Sequence, residues 1–388
     1  MKTGNTAQNP AQPDRPARIL FVSPFSSLYG GELCFLEIVT GVDRERIIPE
    51  VVLSGEGPLT GRLKAAGIKT DQIEMPYMTH RGTQGLLFLA GLLPVTFRLV
   101  RHIRAGHYDL VYNNSLLNPY GTLAAWLARV PRLWHVHDMG KNPMLRFGIT
   151  RFAGALSNQL IVVSKAVRDL FSEKTQKKIT VVYNGVDVQY YDPEQFDRLA
   201  VRRQFGIRAD QAVIGYIGRF HESKRPFDLL DALHVVQQKY PGVVLLMVGE
   251  GELGEALKEK ASALGLSENI RWAGYLADIR PALVAMDVVA LPSDHEAFPR
   301  VPLEAMAMEK PVTATRVGGI PEQVDDGCGY LYAVGDTAAL AAAWLDVLDH
   351  PEKACEMGWR GRQKVIQNFQ LKDYVNQIQT LLLGMLSH

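Results

Sequence analysis

Residues 293–307 read Ser-Asp-His-Glu-Ala-Phe-Pro-Arg-Val-Pro-Leu-Glu-Ala-Met-Ala, and this stretch decides the fold prediction. The apolar run 286–291 precedes it and has the length of a buried parallel strand. Good helix formers follow over 303–308, so the stretch predicts a strand, a loop and a helix. Glu296 is then in the loop and Glu304 in the first helical turn. Ligands of open α/β sheets bind beyond the carboxyl ends of the strands, so both carboxylates are candidate contacts.

Each glutamate also has a simpler interpretation, as a helix-start carboxylate favoured by the macrodipole or as a solvated loop residue. Their joint context favours function. Glu296 and Glu304 are separated by seven residues that include Phe298 and Pro299, and Glu-Ala-Met-Ala follows. This pattern resembles the donor-binding signature of retaining glycosyltransferases of family 4. The resemblance implies the GT-B fold, an α/β architecture of two Rossmann-like domains whose parallel sheets face a central cleft.

The bulk composition agrees with a soluble enzyme of two domains. A chain of 388 residues is too long for one ordinary core. The net charge of +1, from 42 basic and 41 acidic residues, argues against a nucleic-acid partner. Three widely spaced cysteines and the lack of a long apolar run or signal sequence predict a cytoplasmic protein.

The expected division follows the resemblance. Residues 1–17 are predicted to be a disordered tail, and 18–186 an acceptor-binding domain that the C-terminal helix 372–388 rejoins. Residues 187–371 are predicted to form the donor-binding domain. The turn-forming run Asn-Gly-Val-Asp at 184–187 is interpreted as the crossing between domains, and the polar residues 189–203 as a linker.

Two glycines and two histidines are the candidates in the first domain. Gly30 and Gly31 follow a strand and precede a helix, where backbone amides either approach an anion or simply form a tight turn. His135 and His137 share one face of a strand, but no third metal ligand is evident. The resemblance implies that the glycines lie beside the donor phosphates and that His137 contacts the donor sugar, with His135 as the second choice.

A strand ending at Gly218 leads to two cations in the second domain, Arg219 and Lys224. The resemblance implies that they clamp the diphosphate of the donor, where fixed cations stabilise the leaving group. No Asp-x-Asp pair follows a strand, which agrees with a site that needs neither a metal nor another cofactor. The chain departs from the family at Arg225, where a glycine is usual, and at Arg300, which either recognises a charged group or faces solvent.

Residues 249–254 fit the dinucleotide fingerprint Gly-x-Gly-x-x-Gly after a strand, which keeps an NAD-dependent enzyme as an alternative. The next strand lacks the acidic residue that holds a ribose, and Glu250 and Glu252 would repel a pyrophosphate. The resemblance instead implies that Gly249 and Gly251 line the nucleotide pocket.

Residues 86–104 predict an amphipathic helix with Leu92, Leu93, Leu99, Val100 and Ile103 on one face and Arg98, Arg101 and His102 on the other. We expect a surface helix packed on the sheet. The alternative is a peripheral contact with the inner face of a membrane, because a basic face attracts anionic lipid.

The sequence therefore predicts a retaining, metal-independent glycosyltransferase of polysaccharide, lipopolysaccharide or glycoconjugate biosynthesis. It would move a sugar from a UDP- or GDP-sugar to a glycan or carrier-lipid acceptor. The rivals are a non-hydrolysing sugar-nucleotide epimerase, the NAD enzyme, and a sensor that binds the nucleotide without turnover. The sequence leaves the base, the sugar, the acceptor and the oligomeric state open.

Overall fold

A computed structural model describes residues 15–76, 82–140 and 143–387, without the side chains of 82–86. The predicted disordered tail lies outside the described residues up to residue 14. Two compact units divide the chain. The first contains the residues up to Val182 together with those from Lys372, and the second is Tyr183–Leu371. The division lies four residues before the predicted boundary of 186.

The first unit contains a parallel sheet whose strands are apolar and almost fully buried at its centre. Its order is β3-β2-β1-β4-β5-β6-β7. The strands are β1 (Ala17–Ser23), β2 (Ile47–Leu53), β3 (Lys69–Gln72), β4 (Leu110–Asn114), β5 (Arg132–Val136), β6 (Gln159–Val162) and β7 (Ile179–Val181). The helices are α1 (Gly30–Gly41), α2 (Pro58–Ala65), α3 (Gly82–Gly106), α4 (Tyr120–Ala128), α5 (Pro143–Leu156), α6 (Lys165–Arg168) and α7 (Glu173–Gln176).

The second unit repeats this plan with a sheet of order β10-β9-β8-β11-β12-β13, again parallel. Its strands are β8 (Val213–Ile217), β9 (Val244–Val248), β10 (Ile270–Gly274), β11 (Val288–Leu291), β12 (Val312–Thr315) and β13 (Gly329–Tyr332). Its helices are α8 (Arg198–Gln204), α9 (Pro226–Lys239), α10 (Gly254–Ala263), α11 (Arg280–Ala285), α12 (Arg300–Ala307), α13 (Ile320–Gln323), α14 (Thr337–Asp349) and α15 (Pro351–Asn368). The last helix, α16 (Leu371–Gly384), belongs to the first unit from Lys372.

In both sheets the strand order reverses beside the strand that comes first in the chain. The reversal lies between β1 and β4 in the first sheet and between β8 and β11 in the second. At such a switch point neighbouring crossovers leave on opposite faces, which opens a crevice at the carboxyl ends of the strands. The predicted α/β class with two Rossmann-like sheets is therefore confirmed.

The crossing segment 184–187 is held by backbone pairing inside the second unit. The Val186 amide donates to the Phe369 carbonyl at 2.9 Å, and the Leu371 amide donates to the Val186 carbonyl at 3.0 Å. A Cβ at Gly185 would lie 2.6 Å from the Gln370 carbonyl oxygen. The glycine of this motif is thus required by the close approach of two chain segments.

Apart from the start of α12, which is described with the site, three sequence predictions about local structure are wrong. The polar stretch 189–203 is not a plain linker, because α8 begins at Arg198 with its N-terminus capped by Asp197. Gly30 and Gly31 are the first residues of α1 and not loop residues. Leu93 is 67% exposed, because neighbouring helical residues point about 100° apart and Leu92 turns further inward. No helix in the described ranges is long and apolar enough to cross a membrane.

Candidate functional site

The loops that follow β8 and β11 meet at the switch point of the second sheet. The Asp294 amide donates to the Ser223 carbonyl at 3.0 Å, which joins the loop carrying Arg219 and Lys224 to the loop carrying Glu296. The predicted cations and the first predicted carboxylate therefore come together at one edge of one sheet.

Lys224 and Glu296 form an ion pair, with 2.5 Å between Nζ and Oε1. The Ser293 hydroxyl donates to the same carboxylate oxygen at 2.7 Å, and Glu296 is 9% exposed. The Glu296 carbonyl also accepts from the Gly319 amide at 3.1 Å. The carboxylate is oriented by two side chains and its backbone by a third contact, so its lysine partner has a fixed position for an arriving anion.

Arg219 differs from Lys224, because its exposed side chain makes no ion pair with any described residue. Its carbonyl accepts from the Tyr216 hydroxyl at 3.0 Å, which fixes the backbone and leaves the guanidinium in solvent. Burial is the main cause of the raised pKa of Tyr216. The negative charge of Glu296 raises this pKa further, and the positive charge of Arg219 lowers it. The edge thus presents one unpaired cation beside one paired cation.

Glu304 is not in the first helical turn, because α12 begins at Arg300, directly after Pro299. Glu304 is 4% exposed and Arg300 is 8% exposed. One carboxylate oxygen of Glu304 accepts from Arg300 Nε at 3.1 Å and from the Tyr191 hydroxyl at 3.1 Å. Arg300 therefore does not face solvent, and it orients the carboxylate predicted to bind the ribose.

Phe298 and Pro299 shape the loop between the two glutamates. The Phe298 ring is buried and stacks on Tyr183 with 5.0 Å between ring centroids. Its carbonyl accepts from Asn184 Nδ2 at 2.9 Å, and the Pro299 carbonyl accepts from Gln323 Nε2 at 2.7 Å. The packed ring and the two paired carbonyls therefore fix the conformation of the loop between the glutamates.

Close backbone packing explains the glycines that follow β9. A Cβ at Gly249, where φ is +128°, would lie 2.0 Å from the Gly218 carbonyl oxygen. A Cβ at Gly251 would lie 2.4 Å from the Phe220 carbonyl oxygen, whereas one at Gly254 would meet nothing nearer than 3.9 Å. The third glycine of the apparent fingerprint is not required, so the pattern is explained without NAD.

Arg225 has a left-handed backbone conformation, with φ +48° and ψ +46°, at the N-terminus of α9. Glycine adopts this conformation without strain, which explains why it is usual at this position in the resemblance. Here the arginine forms two hydrogen bonds with Asp228, at 2.7 and 3.0 Å, that help to hold the loop.

At the switch point of the first unit, Gly30 and Gly31 open α1, and their amides lie among those that a helix leaves without internal partners. The Tyr29 amide donates to Glu32 Oε2 at 3.2 Å, and burial raises the pKa of Glu32. A Cβ at Gly31 would lie 3.9 Å from the Cβ of His137. The structure therefore brings the predicted glycines and His137 together.

His137 follows the end of β5, and its ring lies against that of His135, with 3.8 Å between centroids and a tilt of 37°. Both ring nitrogens of His137 are buried and have no hydrogen-bond partner among the described residues. Burial lowers the pKa of His137 to about 3, so its ring is neutral near pH 7. His135 is fully buried and bonded through Nδ1 to the Tyr112 hydroxyl, so His137 is the better placed of the two for a ligand.

Several positioning residues escaped the sequence analysis, three of them because their roles depend on contacts between segments that are distant in sequence. They are Ser293 on Glu296, Tyr191 on Glu304, Asn184 on the Phe298 carbonyl, and Ser115 on Asp138. Only the Arg300–Glu304 pair had a local pattern, the i,i+4 spacing of opposite charges on a helix. Within the described ranges, no group of three or more His, Cys, Asp or Glu residues could hold a metal ion.

Comparison with known proteins identifies the family. Residues 30–190 match the family described as Glycosyltransferase Family 4, and residues 197–364 match Glycosyl transferases group 1. The chain belongs to glycosyltransferase family 4. Among solved structures, Anabaena HepE in complex with UDP is 27% identical, with a TM-score of 0.81 over 95% of this chain and 100% of that chain. HepE in complex with UDP-glucose is also 27% identical, with a TM-score of 0.82 over 95% of this chain and 99% of that chain. The family 4 fold, GT-B, is thus the fold of this chain.

Curated relatives of family 4 are similar over part of their length. N-acetyl-alpha-D-glucosaminyl L-malate synthase of Bacillus anthracis is 30% identical over 63% of this chain and 63% of its own length. D-inositol 3-phosphate glycosyltransferase of Mycobacteroides abscessus is 33% identical over 63% of this chain and 58% of its own length. The match thus spans about three fifths of these relatives.

Proposed function

We propose that the chain is a glycosyltransferase that takes a sugar from a nucleotide-diphosphate sugar. The observation that carries the proposal is the switch point of the second unit, where the loop with Arg219 and Lys224 meets the loop with the buried Glu296 and a second buried, oriented carboxylate, Glu304, follows on α12. Cations match a diphosphate, and oriented carboxylates match sugar and ribose hydroxyls. Because HepE was solved with UDP and with UDP-glucose, UDP is our first choice of nucleotide and GDP our second.

The carboxylates and the cations of the site have different proposed roles. Glu304, oriented by Arg300, accepts hydrogen bonds from the ribose hydroxyls. Glu296 binds the donor sugar, and a diphosphate shares the ammonium of Lys224, which in the free protein contacts Glu296 at 2.5 Å. Arg219 supplies the unpaired guanidinium.

We propose a metal-independent reaction, because the two cations provide the charge stabilisation that Mg²⁺ supplies elsewhere. Bond cleavage leaves negative charge on the diphosphate, and Arg219 and Lys224 stabilise it most at that moment. We also propose retention, on the resemblance to retaining enzymes. The acceptor then attacks the face that the diphosphate leaves, and the phosphate takes the acceptor proton.

In the first unit, Gly30 and Gly31 offer backbone amides to the donor phosphates, and His137 offers a neutral imidazole to the donor sugar. A neutral ring both donates and accepts hydrogen bonds, but it supplies no positive charge. We propose that this unit also receives the acceptor, a glycan or a carrier lipid. A lipid-linked acceptor places the reaction at a membrane surface, with α3 as the peripheral contact.

The variant Lys224→Ala tests the role of the lysine. Because the lysine stabilises charge that develops in the transition state, we expect kcat to fall about a hundredfold with a smaller change in KM. Lys258→Ala is the matched control, since Lys258 is an exposed lysine of α10. A rise in KM at unchanged kcat contradicts the assignment.

Thermal unfolding with UDP, GDP, ADP or NAD tests the proposed function, first with EDTA and then with Mg²⁺. A ligand at a hundredfold its Kd adds about 2.7 kcal/mol of stability. We expect a shift with one nucleoside diphosphate in EDTA. A shift with NAD alone contradicts the transferase. Conversion of the nucleotide sugar to its epimer without an acceptor would indicate an epimerase. Binding of the nucleotide without turnover would indicate a sensor.

A further inference from the structure

A cavity of about 760 Å³ lies within the second unit, at the edge of the sheet opposite the proposed donor site. The residues that directly precede four strands line it, namely Ala212 before β8, Val243 before β9, Asp287 before β11 and Pro311 before β12. Parallel strands run in one direction, so their amino ends share one edge of the sheet and their carboxyl ends the other. A strand of five residues spans about 16 Å, which separates this cavity from the loops that carry Lys224 and Glu296.

Three cations of the cavity wall lie around one carboxylate, that of Asp287. Its Oδ2 accepts from Arg202 Nη2 at 2.9 Å, and its Oδ1 pairs with Arg198. Lys310 is close enough for its pKa to be affected by all three of these residues. Burial is the main cause that lowers the pKa of Lys310 to about 8, and the positive charge of Arg198 is the next. One carboxylate therefore faces three positive charges.

The other charged residues of the wall have partners of their own. The pairs are Arg208 with Asp210 at 3.2 Å, Lys239 with Asp349 at 2.5 Å and Glu309 with Arg362 at 3.8 Å. Glu309 is next to Lys310 in the chain, but it affects the pKa of Lys310 less than Arg198, Asp287 or Arg202 does. The cations around Asp287 are therefore in excess, and a bound anion would reduce their mutual repulsion.

Two of these three cations have hydrogen-bond donors left for a ligand. Arg202 is buried and donates to Asp287 and to three backbone carbonyls, so most of its donors are used. Within the described residues, Arg198 donates through Nη2 alone. Lys310 donates to the Val284 carbonyl at 3.4 Å, a long bond, and forms no ion pair with any residue that the structure describes. A guanidinium has five donors and an ammonium three, so Arg198 and Lys310 can both bind an anion.

Part of the cavity wall is apolar, since Tyr240, Pro241, Val347 and Leu348 also line it. Ligand sites combine an apolar wall of this kind with a few fixed polar groups, and their volume is typically about 300–1,000 Å³. The apolar part suits an organic substituent. A phosphate group suits the cations, because it carries up to about two negative charges and several acceptor oxygens.

We propose that this cavity binds a small organic phosphate. The phosphate contacts Lys310 and Arg198, and the organic part lies against Tyr240 and Pro241. The site goes beyond the proposed transfer reaction, because it lies at the opposite edge of the sheet from the donor site. Failure of either proposal would leave the other untouched.

Cys355 allows occupancy of the cavity to be measured, because it is exposed and lines the cavity, whereas Cys34 and Cys328 are buried. The full chain is alkylated with iodoacetamide while excess UDP occupies the proposed donor site. Phenyl phosphate, inorganic phosphate and phenol are the probes. We expect phenyl phosphate to slow alkylation of Cys355 at concentrations about tenfold lower than inorganic phosphate does, because only the former has an apolar part. Phenol should have no effect.

Lys310→Gln and Arg198→Gln should each weaken phenyl phosphate binding about tenfold in calorimetry, because each removes a charged donor. Arg203→Gln is the matched control, since Arg203 is an exposed arginine of α8 that does not line the cavity. Lys224→Ala should also leave this binding unchanged, and circular dichroism should show all four variants folded.

The proposal is overturned if phenyl phosphate does not protect Cys355, if phenol protects it equally, or if inorganic phosphate binds as tightly as phenyl phosphate. It is also overturned if the folded Lys310→Gln and Arg198→Gln variants keep full affinity. An equal loss in Lys224→Ala would overturn it as well, because the phosphate would then occupy the donor site.

Discussion

Replacing Arg300 by methionine should separate the structural role of the Arg300–Glu304 pair from its role in nucleotide binding. The side chains are 7% and 5% exposed, and 3.1 Å separates Nε from Oε1. Removal of one partner leaves Glu304 charged, buried and supported by Tyr191. Breaking a buried pair in this way typically costs about 3–5 kcal/mol, whereas an exposed pair contributes less than about 1 kcal/mol.

The assay is a double-mutant cycle with Glu304→Gln, measured by urea unfolding and by UDP affinity. We expect Arg300→Met to lower the unfolding free energy of the second unit by about 3 kcal/mol or more. The double variant should recover most of this loss, because the uncompensated charge is gone. It should not recover UDP affinity, because the proposed ribose contact is lost. A cost below about 1 kcal/mol for Arg300→Met, or full recovery of UDP binding by the double variant, refutes the reasoning.

Two further predictions concern backbone packing and pH. Gly249→Ala should destabilise the second unit by about 1–3 kcal/mol in urea unfolding, because its Cβ would lie 2.0 Å from the Gly218 carbonyl oxygen. Gly254→Ala is the control and should cost less than about 0.5 kcal/mol; equal losses contradict the packing argument. For His137, the unfolded chain binds a proton near pH 6.5, whereas burial lowers the folded pKa to about 3. Its share of the stability is therefore complete above pH 6.5 and is lost as the pH falls, by up to about 1.4 kcal/mol per pH unit. His137→Asn should flatten the acid side of the stability profile, and an unchanged slope would show that the ring is not buried in its neutral form.

The sequence predicted the two sheets because their central strands are short apolar runs, each followed by polar or glycine residues. It also located Lys224 and Glu296 after strands of the second sheet and His137 after a strand of the first, and the parallel topology places each residue at the carboxyl edge of its own sheet. The start of α12 was missed, because the helix formers over 303–308 indicated a start near Leu303. The helix instead begins after Pro299, which gives Glu304 its partner Arg300.

Other features had no local pattern to predict them. The hydrogen bond from Asn184 to the Phe298 carbonyl joins residues 114 positions apart. The burial of both nitrogens of His137 depends on the packing of α1 and β5. Helical periodicity alone led to the wrong placement of Leu93 on the buried face.

The most direct test of the account is calorimetric binding of UDP and of uridine in the presence of EDTA. The account predicts that UDP binds without metal and more tightly than uridine, and that Lys224→Ala removes most of this difference. Glu304→Gln should weaken both ligands by a similar factor, because both contain the ribose. UDP binding that requires Mg²⁺, or a difference between UDP and uridine that survives Lys224→Ala, would contradict the account.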